Sequence, residues 1–199
     1  MAKIEARVSN LESFRRWRED EEQSVDDLIW WITASVPSEP MLAGTAFHKA
    51  LELAKPGDYD TLYANGYTFH LPEGTLALPE IRELRASALY GALRVSGQVD
   101  GLWGKRVEDH KTTSRFDPER YLAGYQWRYY LDIFGADVFR WNVFEIHEVK
   151  PLVYQVADVQ TLEAYRYPGM HEDCARLAAD FYEFARVHLP GYEALKEAA

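Results

Sequence analysis

The spacing of apolar residues changes along the chain, and each change predicts a different secondary structure. Three segments near the N-terminus have helical spacing: SNLESFRRWRED, SVDDLIWWITAS and MLAGTAFHKALELA. Ser9 and Ser24 are expected to cap the first two helices. The third helix follows the breaker PSEP and is expected to end near Lys55-Pro56-Gly57.

The middle of the chain predicts antiparallel strands, because short β-branched or aromatic segments are separated by glycines: YTFHL, EIRELRASALYG, ALRVSGQVDGLW and KRVEDHKTT. We expect Gly101 and Gly104 to bracket a tight turn between the last two. DPERYLAGYQWRYYLDIFG then predicts a helix with Asp117 as its cap, Pro118 in first position and Gly135 as its stop. DVFRWNVFEIHEV and LVYQVADV return to strand patterns, and HEDCARLAADFYEFARVHL is typical of a long closing helix.

This order of elements predicts an α/β fold in which a central mixed sheet is flanked by helices. A chain of 199 residues suits one domain, and no repeat or long linker divides it. We therefore expect a single domain over residues 1–199, with its core at about 40–150, N-terminal helices within 9–35 and a C-terminal helix at about 170–189.

Composition restricts the chemistry that the chain can use. No apolar run approaches the ~18 residues of a membrane span, and the first residues lack the apolar core of a secretory signal, so a cytoplasmic protein is expected. Cys174 is the single cysteine, which excludes an internal disulfide and a cysteine-only zinc or iron–sulfur site within one chain. Any metal is therefore expected to bind oxygen and nitrogen ligands.

Charge alone does not identify a partner. The net charge of −10 argues against a simple electrostatic nucleic-acid binder. Residues 101–130 contain six Lys or Arg against four Asp or Glu, a local net charge of +2 that is as consistent with chance as with a binding surface.

The segment VSGQVDGLWGKRVEDHKTTS, residues 95–114, contains the candidate chemistry. Alternation along a strand places Asp109 and Lys111 on one face and Glu108 and His110 on the other. The predicted turn brings Asp100 back towards Asp109. Two carboxylates, with a backbone carbonyl between them, would offer the oxygen ligands that Mg²⁺ prefers.

The lysine separates two interpretations of this hairpin. Next to a structural cation an ammonium group would only repel that cation. In a phosphate-cleaving site it can orient the attacking water and offset the negative charge that develops on the phosphate. The pattern therefore predicts metal-assisted hydrolysis of a phosphodiester. A solvated surface hairpin with ordinary charges is the alternative, and the hairpin residues by themselves leave it open.

The motifs around this hairpin resemble the PD-(D/E)XK nucleases, and in particular their RecB-like branch. That branch has an S-x-L-x-x-F opening, G-x-x-x-H on a helix, an apolar G-x-x-D strand, D-x-K on the next strand and Q-x-x-x-Y on a later helix. The matching segments, in the same order and covering about residues 9–150, are Ser9-Asn10-Leu11-Glu12-Ser13-Phe14, Gly44-Thr45-Ala46-Phe47-His48, Val95-Ser96-Gly97-Gln98-Val99-Asp100, Asp109-His110-Lys111 and Gln126-Trp127-Arg128-Tyr129-Tyr130.

The resemblance implies a restriction-endonuclease-like core and a role for each matching residue. Asp100, Asp109, the backbone carbonyl of His110 and an imidazole nitrogen of His48 would bind the metal, and Lys111 would be the catalytic lysine. One or two Mg²⁺ or Mn²⁺ ions are implied, and no iron–sulfur cluster, since the four cysteines of that subgroup are missing.

Further residues are expected to support the site. Gln126 and Tyr130 are spaced i,i+4 on one helical face, which in this family supports the active site and the nucleic-acid strand. Glu52 lies one turn after His48 and is an additional candidate metal ligand. The expected contacts to nucleic acid are Arg115, Arg120, Arg128, Thr112 and Thr113.

The resemblance implies a metal-dependent deoxyribonuclease of bacteria or phage-infected cells, acting in recombination or repair. We favour an exonuclease, with a structure-specific endonuclease and a non-catalytic accessory subunit as alternatives. The expected partner is single- or double-stranded DNA, with a second copy of the chain or a recombination protein as further partners, and no membrane.

Overall fold

The computed structural model describes residues 5–34, 36–55, 60–72, 74, 78–79 and 81–189. Its strands in these ranges are β1 (Glu5–Arg7), β2 (Thr61–Ala64), β3 (Tyr67–His70), β4 (Ile81–Tyr90), β5 (Leu93–Trp103), β6 (Arg106–Thr113), β7 (Val138–Lys150) and β8 (Val153–Tyr165). Its helices are α1 (Val8–Glu19), α2 (Val25–Thr33), α3 (Glu39–Leu53), α4 (Pro118–Ala123), α5 (Gln126–Phe134) and α6 (Met170–His188).

The strands form one mixed sheet in the order β1-β5-β6-β7-β8-β3-β2, and β4 pairs with the other edge of β5. The pairs β1–β5, β6–β7 and β3–β8 are parallel, and the remaining pairs are antiparallel. The predicted α/β fold, with a central mixed sheet and flanking helices, is confirmed. Strands β1 and β2 were not predicted, since three or four residues are too few to show an alternating pattern.

Two hydrophobic cores lie on opposite faces of the sheet. Val143 packs with α1, α5 and α6 in the larger core, and its neighbour Phe144 packs with α3 in the smaller one. Adjacent residues of a strand point to opposite faces, so β7 separates the two cores. The sheet therefore presents α3 on one side of β6 and α5 on the other.

Helix α5 is anchored to its neighbours by polar contacts. The Tyr129 hydroxyl donates to the Cys174 carbonyl oxygen over 2.6 Å, which ties α5 to α6. Asp132 accepts a hydrogen bond of 2.8 Å from the Tyr90 hydroxyl of β4 and lies 2.8 Å from His171 Nδ1. These contacts fix the position of α5 against the sheet.

The predicted starts of the first three helices agree only in part with the structure. Ser24 caps α2, because its Oγ accepts from the Asp27 N–H while Asp27 Oδ2 accepts from the Ser24 N–H. The cap predicted at Ser9 is wrong: α1 begins at Val8, and Asn10 Oδ1 accepts from the backbone N–H of Arg7. Helix α3 begins at Glu39, inside the expected breaker, because a proline is tolerated in the first turn of a helix.

The single helix predicted after Asp117 is two helices. Asp117 does cap α4, and Gly135 ends α5 with a left-handed φ of 60°. The break lies at Gly124 and Tyr125, where the Tyr125 N–H donates to Glu12 Oε2 of α1 over 2.7 Å. A tertiary acceptor thus replaces the helical carbonyl, which no local periodicity can indicate.

The turn predicted between Gly101 and Gly104 is shorter than expected. Strand β5 continues through Gly101 to Trp103, and the turn consists of Gly104 and Lys105. Gly104 has a φ of 54°, a left-handed conformation that favours glycine. Gly101 instead pairs with Glu108, and a side chain there would collide with Pro79.

Some predictions concern residues outside the described ranges. The expected end of the third helix at Pro56 and Gly57, and the start of the strand EIRELRASALYG at Glu80, fall there. None of the helices in the described ranges combines the length and the apolar character needed to cross a membrane.

Replacing Gly97 by alanine is expected to destabilise the protein by about 1–3 kcal/mol, because the sheet has no room for a methyl group there. A Cβ at Gly97 would lie 2.5 Å from Tyr130 Cε1 of α5 and 3.3 Å from Val8 Cγ2. Urea denaturation measures the change. In a Tyr130→Ala background the same substitution should cost clearly less, and an equal cost in both backgrounds would contradict this packing.

Candidate active site

The candidate site lies where the pairing of β5 with β6 ends. The last pair is Gly101 with Glu108, and the same register places Asp100 opposite Asp109. Asp100 Oδ2 accepts the backbone N–H of His110 over 2.6 Å. The carboxylate accepts a hydrogen bond that a backbone carbonyl of β5 would otherwise accept. This bond holds Asp100 against the D-x-K strand.

Asp109 and Lys111 point to the same face of β6, as strand alternation predicts. Lys111 Nζ lies 2.9 Å from Asp109 Oδ1 and 2.7 Å from Oδ2. The Asp109 side chain is 5% exposed and the Lys111 side chain 30%, so the pair opens to solvent through the lysine. Glu108 and His110 point away, since Glu108 binds Arg106 and the His110 ring contacts the aromatic ring of Phe144.

His48 lies on α3, which packs on the face of the sheet opposite to α5. Its Nδ1 lies 3.3 Å from Asp100 Oδ1, so the structure brings these two residues of separate motifs together. The approach depends on Gly44, where a Cβ would lie 3.1 Å from Thr112 Oγ1 of β6. The glycine of the G-x-x-x-H motif therefore lets α3 pack closely against the strand that carries Asp109 and Lys111.

The side chains of the site shift the pKa values of one another. Burial raises the pKa of Asp100, but hydrogen bonding and charge from His48 outweigh it, and the net pKa is well below the usual range. Burial lowers the pKa of His48, while Asp100 raises it by more.

The Asp109–Lys111 pair shows the same competition. Burial lowers the pKa of Lys111, but the charges of Asp109 and Asp100 raise it by more. The net pKa lies above the usual range, so this group is an ammonium at neutral pH. Burial raises the pKa of Asp109, and Lys111 opposes that shift only in part. By contrast, burial lowers the pKa of His110 to about 4, which leaves its ring neutral.

Gln126 and Tyr130 lie on the same face of α5, as their spacing predicts. Gln126 Nε2 lies 3.4 Å from the Tyr130 hydroxyl, and burial raises the pKa of Tyr130 to about 12. The charges of Asp109 and Lys111 also act on that hydroxyl. Gln126 also lines the same groove as Lys111, so both α5 residues lie near the Asp109–Lys111 pair.

A carboxylate that sequence reasoning missed is Glu83. The pairs on either side of it place Glu83 of β4 opposite Asp100, and its φ is 55°, a left-handed value that is uncommon for a side chain of this kind. Glu83 lines a small cavity together with Glu52, His48 and Asp100. The position of Glu83 follows from the register of β4 on β5, which the sequence pattern alone does not give. Glu52 itself forms an ion pair of 2.8 Å with Lys49.

A groove next to Lys111 contains part of the predicted nucleic-acid contacts. Its walls are Glu12, Arg16, Lys111, Thr112, Thr113, Arg120, Tyr121, Gly124, Gln126 and Trp141. The Thr113 hydroxyl is engaged with the backbone of Arg115, donating to its carbonyl over 2.8 Å. Arg115 is exposed but is not among the groove residues.

Arg128, also predicted to contact nucleic acid, lies away from this groove. Its guanidinium carbon is 4.2 Å from the centre of the Tyr125 ring and 5.0 Å from that of Trp127. Its charge acts on Asp173 and Cys174 of α6. A step of two residues from Gln126 turns a helix by about 200°, so Arg128 points to the opposite side of α5.

The donors of the site suit a hard divalent ion. Within the described residues no three His, Cys, Asp or Glu side chains are grouped closely enough to hold a metal as they stand. His48 lies next to Asp100, and Asp109 is paired with Lys111. Asp109 Oδ2 is buried and accepts no hydrogen bond of good geometry, although Lys111 is near. Two carboxylates, a carbonyl and an imidazole are the ligand types that Mg²⁺ and Mn²⁺ accept.

Glu12 of α1 is a second residue that sequence reasoning did not single out. Its side chain is buried on the wall of the groove, where it binds Arg15, Arg16 and the Tyr125 N–H. Burial raises the pKa of Glu12, but the hydrogen bond and charge of Arg15 and the other donors lower it by more. Arginines three and four residues after a glutamate are the sequence signal that could have indicated this cluster.

Comparison with known proteins supports the fold but does not indicate the chemistry of the site. The chain matches no model of a known family, and no curated protein matches its sequence. It is similar to the crystal structure of SSO0001, with a TM-score of 0.54 over 92% of this chain and 78% of that one, at 15% sequence identity. At this identity the likeness shows a shared fold and assigns no role to a residue.

Replacing Glu12 by glutamine is expected to lower stability at neutral pH by about 1–3 kcal/mol, because a buried charged acceptor is lost. The lowered pKa means that this contribution is complete above the usual Glu pKa of 4.5 and is lost as the pH falls below it. The difference between wild type and Glu12→Gln in urea denaturation should therefore shrink below that pH. A difference that does not change with pH would contradict the charged state of Glu12.

Proposed function

We propose that this protein is a divalent-metal-dependent nuclease that hydrolyses phosphodiester bonds of DNA. The supporting observation is the convergence of Asp100, Asp109, Lys111 and His48 at the end of the β5–β6 ladder. These four residues come from three separate motifs and two faces of the sheet. A surface hairpin with ordinary charges would leave such groups solvated and apart, whereas here both aspartates have little exposure.

The first part of the mechanism is the binding of the ion and the substrate. Asp100, Asp109, the His110 carbonyl and His48 would hold the divalent ion. When bound, such an ion polarises a phosphate and lowers the pKa of a water molecule. Asp100 is kept in position for this task by the His110 N–H, so the carboxylate needs no rearrangement of the strand.

Lys111 performs the second part. Its ammonium lies between the buried Asp109 and the solvent-exposed groove, so it can hold the attacking water and donate to a phosphate oxygen as negative charge develops there. Gln126 and Tyr130 orient the substrate from α5. We also propose that the enzyme works from DNA ends, as an exonuclease in recombination or repair.

The variants Asp109→Asn and Lys111→Ala should each lose at least about 100-fold in nuclease activity, because one removes a carboxylate ligand and the other removes the ammonium that stabilises the developing phosphate charge. The assay follows end-labelled single-stranded, duplex and circular DNA with Mg²⁺ or Mn²⁺. An exonuclease leaves the circular substrate intact. Lys150→Ala, at an exposed lysine at the end of β7, is the matched control and should keep full activity. Undiminished activity in Lys111→Ala would refute the assignment.

Mg²⁺ or Mn²⁺ at about a hundredfold excess over its Kd should raise the melting temperature of the wild type by roughly 5–10 °C, because ligands of the native state stabilise it. In Asp100→Asn, which keeps an acceptor for the His110 N–H, the shift should vanish. Asp132→Asn removes a carboxylate outside the site and should keep the full shift. Equal shifts in wild type and Asp100→Asn would locate the ion elsewhere.

A further inference from the structure

We propose that Arg16 is a phosphate-binding residue of the groove beside Lys111, and that buried Glu12 positions its guanidinium. This inference rests on the proposed nuclease function and extends it, because Arg16 lies outside the motifs of the candidate active site and Glu12 occupies only a variable position of the S-x-L-x-x-F segment. The ligand is the phosphodiester backbone of a DNA strand that enters the site.

Glu12 is a buried hydrogen-bond acceptor between two helices. Oε1 accepts from Arg15 Nη2 over 2.8 Å and from Arg16 Nε over 3.1 Å, and Oε2 accepts from the Tyr125 N–H over 2.7 Å. The Glu12 side chain is 11% exposed. A carboxylate with both oxygens engaged in this way has a defined orientation, and its hydrogen bonds restrict the orientation of the donor side chains.

The two arginines bound to Glu12 point to different sides of α1. Arg15 is nearly buried and also forms an ion pair with Glu19, on the side of α1 that faces α6. The Arg16 side chain is 54% exposed and lines the groove with Lys111 and Arg120. Within the described part of the chain, Arg16 forms its hydrogen bond through Nε, which leaves its two terminal nitrogens for a ligand.

The charge of the groove favours an anion. Lys111, Arg16 and Arg120 contribute three cations, and the acid on its wall, Glu12, is buried beneath two guanidinium groups. A chain with a net charge of −10 needs such a local cationic surface to approach DNA. Arginine, with several donors in one plane, matches the geometry of a phosphate group.

Glu12 also couples this contact to the candidate active site. The same carboxylate binds the Tyr125 N–H at the start of α5, immediately before Gln126. At Gly124 a Cβ would lie 3.3 Å from Glu12 Oε1, so the chain passes close to the carboxylate there. One buried group therefore sets the distance between the phosphate-binding arginine and the α5 residues that reach Asp109 and Lys111.

The test compares Arg16→Gln with Arg18→Gln, which removes the same charge from the same helix. The Arg18 side chain is 47% exposed, but it binds Asp180 of α6 and lies outside the groove. Binding of a fluorescein-labelled oligonucleotide, single-stranded or duplex, is measured in EDTA over a range of salt concentrations. Cleavage is then measured with Mg²⁺ or Mn²⁺.

We expect Arg16→Gln to weaken binding about tenfold at low salt and to lower the slope of log K against log salt by about 0.7–0.9, the loss of one phosphate contact. In cleavage, KM should rise more than kcat falls. Glu12→Gln should also weaken binding, and the double variant should bind no more weakly than Arg16→Gln alone, since Glu12 acts through Arg16. Arg18→Gln should keep the wild-type slope.

The outcomes separate this inference from the proposed function. If the wild type cleaves DNA but Arg16→Gln and Arg18→Gln have the same affinity and salt slope, the Arg16 contact is refuted and the nuclease remains. If Arg16→Gln is weakened but Glu12→Gln adds its full effect in the double variant, the positioning role of Glu12 is refuted. If the wild type neither binds nor cleaves any of the DNA substrates, both proposals fail.

Discussion

Backbone pairing between β5 and β6 stops at Gly101 and Glu108, and the geometry of the candidate active site depends on that stop. Beyond it the His110 N–H would lack a backbone acceptor on β5, and a buried donor without a partner is unfavourable. The Asp100 carboxylate accepts this hydrogen bond and is thereby fixed next to the strand that carries Asp109. His48 and Lys111 then lie next to Asp100 and Asp109, and both contacts oppose the cost of burying the two carboxylates.

Close packing of helices on this part of the sheet is the second requirement. Gly44 lets α3 approach β6, and Gly97 lets the Tyr130 ring of α5 lie against β5. The glycines of two motifs thus serve the packing that brings polar residues together. Glu12 has the corresponding role between α1 and α5, where it replaces the carbonyl acceptor that the broken helix lacks.

Local rules predicted the features that depend on a few neighbouring residues. The reciprocal cap at Ser24, the cap at Asp117, the stop at Gly135 and the shared face of Asp109 and Lys111 are all present. The predicted cap at Ser9, the turn at Gly101 and the unbroken helix after Asp117 were wrong. In the helix the local pattern favours continuation, but a tertiary contact from Glu12 offers the Tyr125 N–H a different acceptor.

The sequence by itself determined the alternation that pairs Asp109 with Lys111 and the helical spacing of Gln126 and Tyr130, because each depends on the geometry of one element. The tertiary structure decided which elements meet. It placed His48 at Asp100, Glu83 opposite Asp100, Arg128 on the far side of α5 and Arg16 beside Lys111. Strand register and helix docking set these contacts, and both result from packing between segments that are distant in the chain.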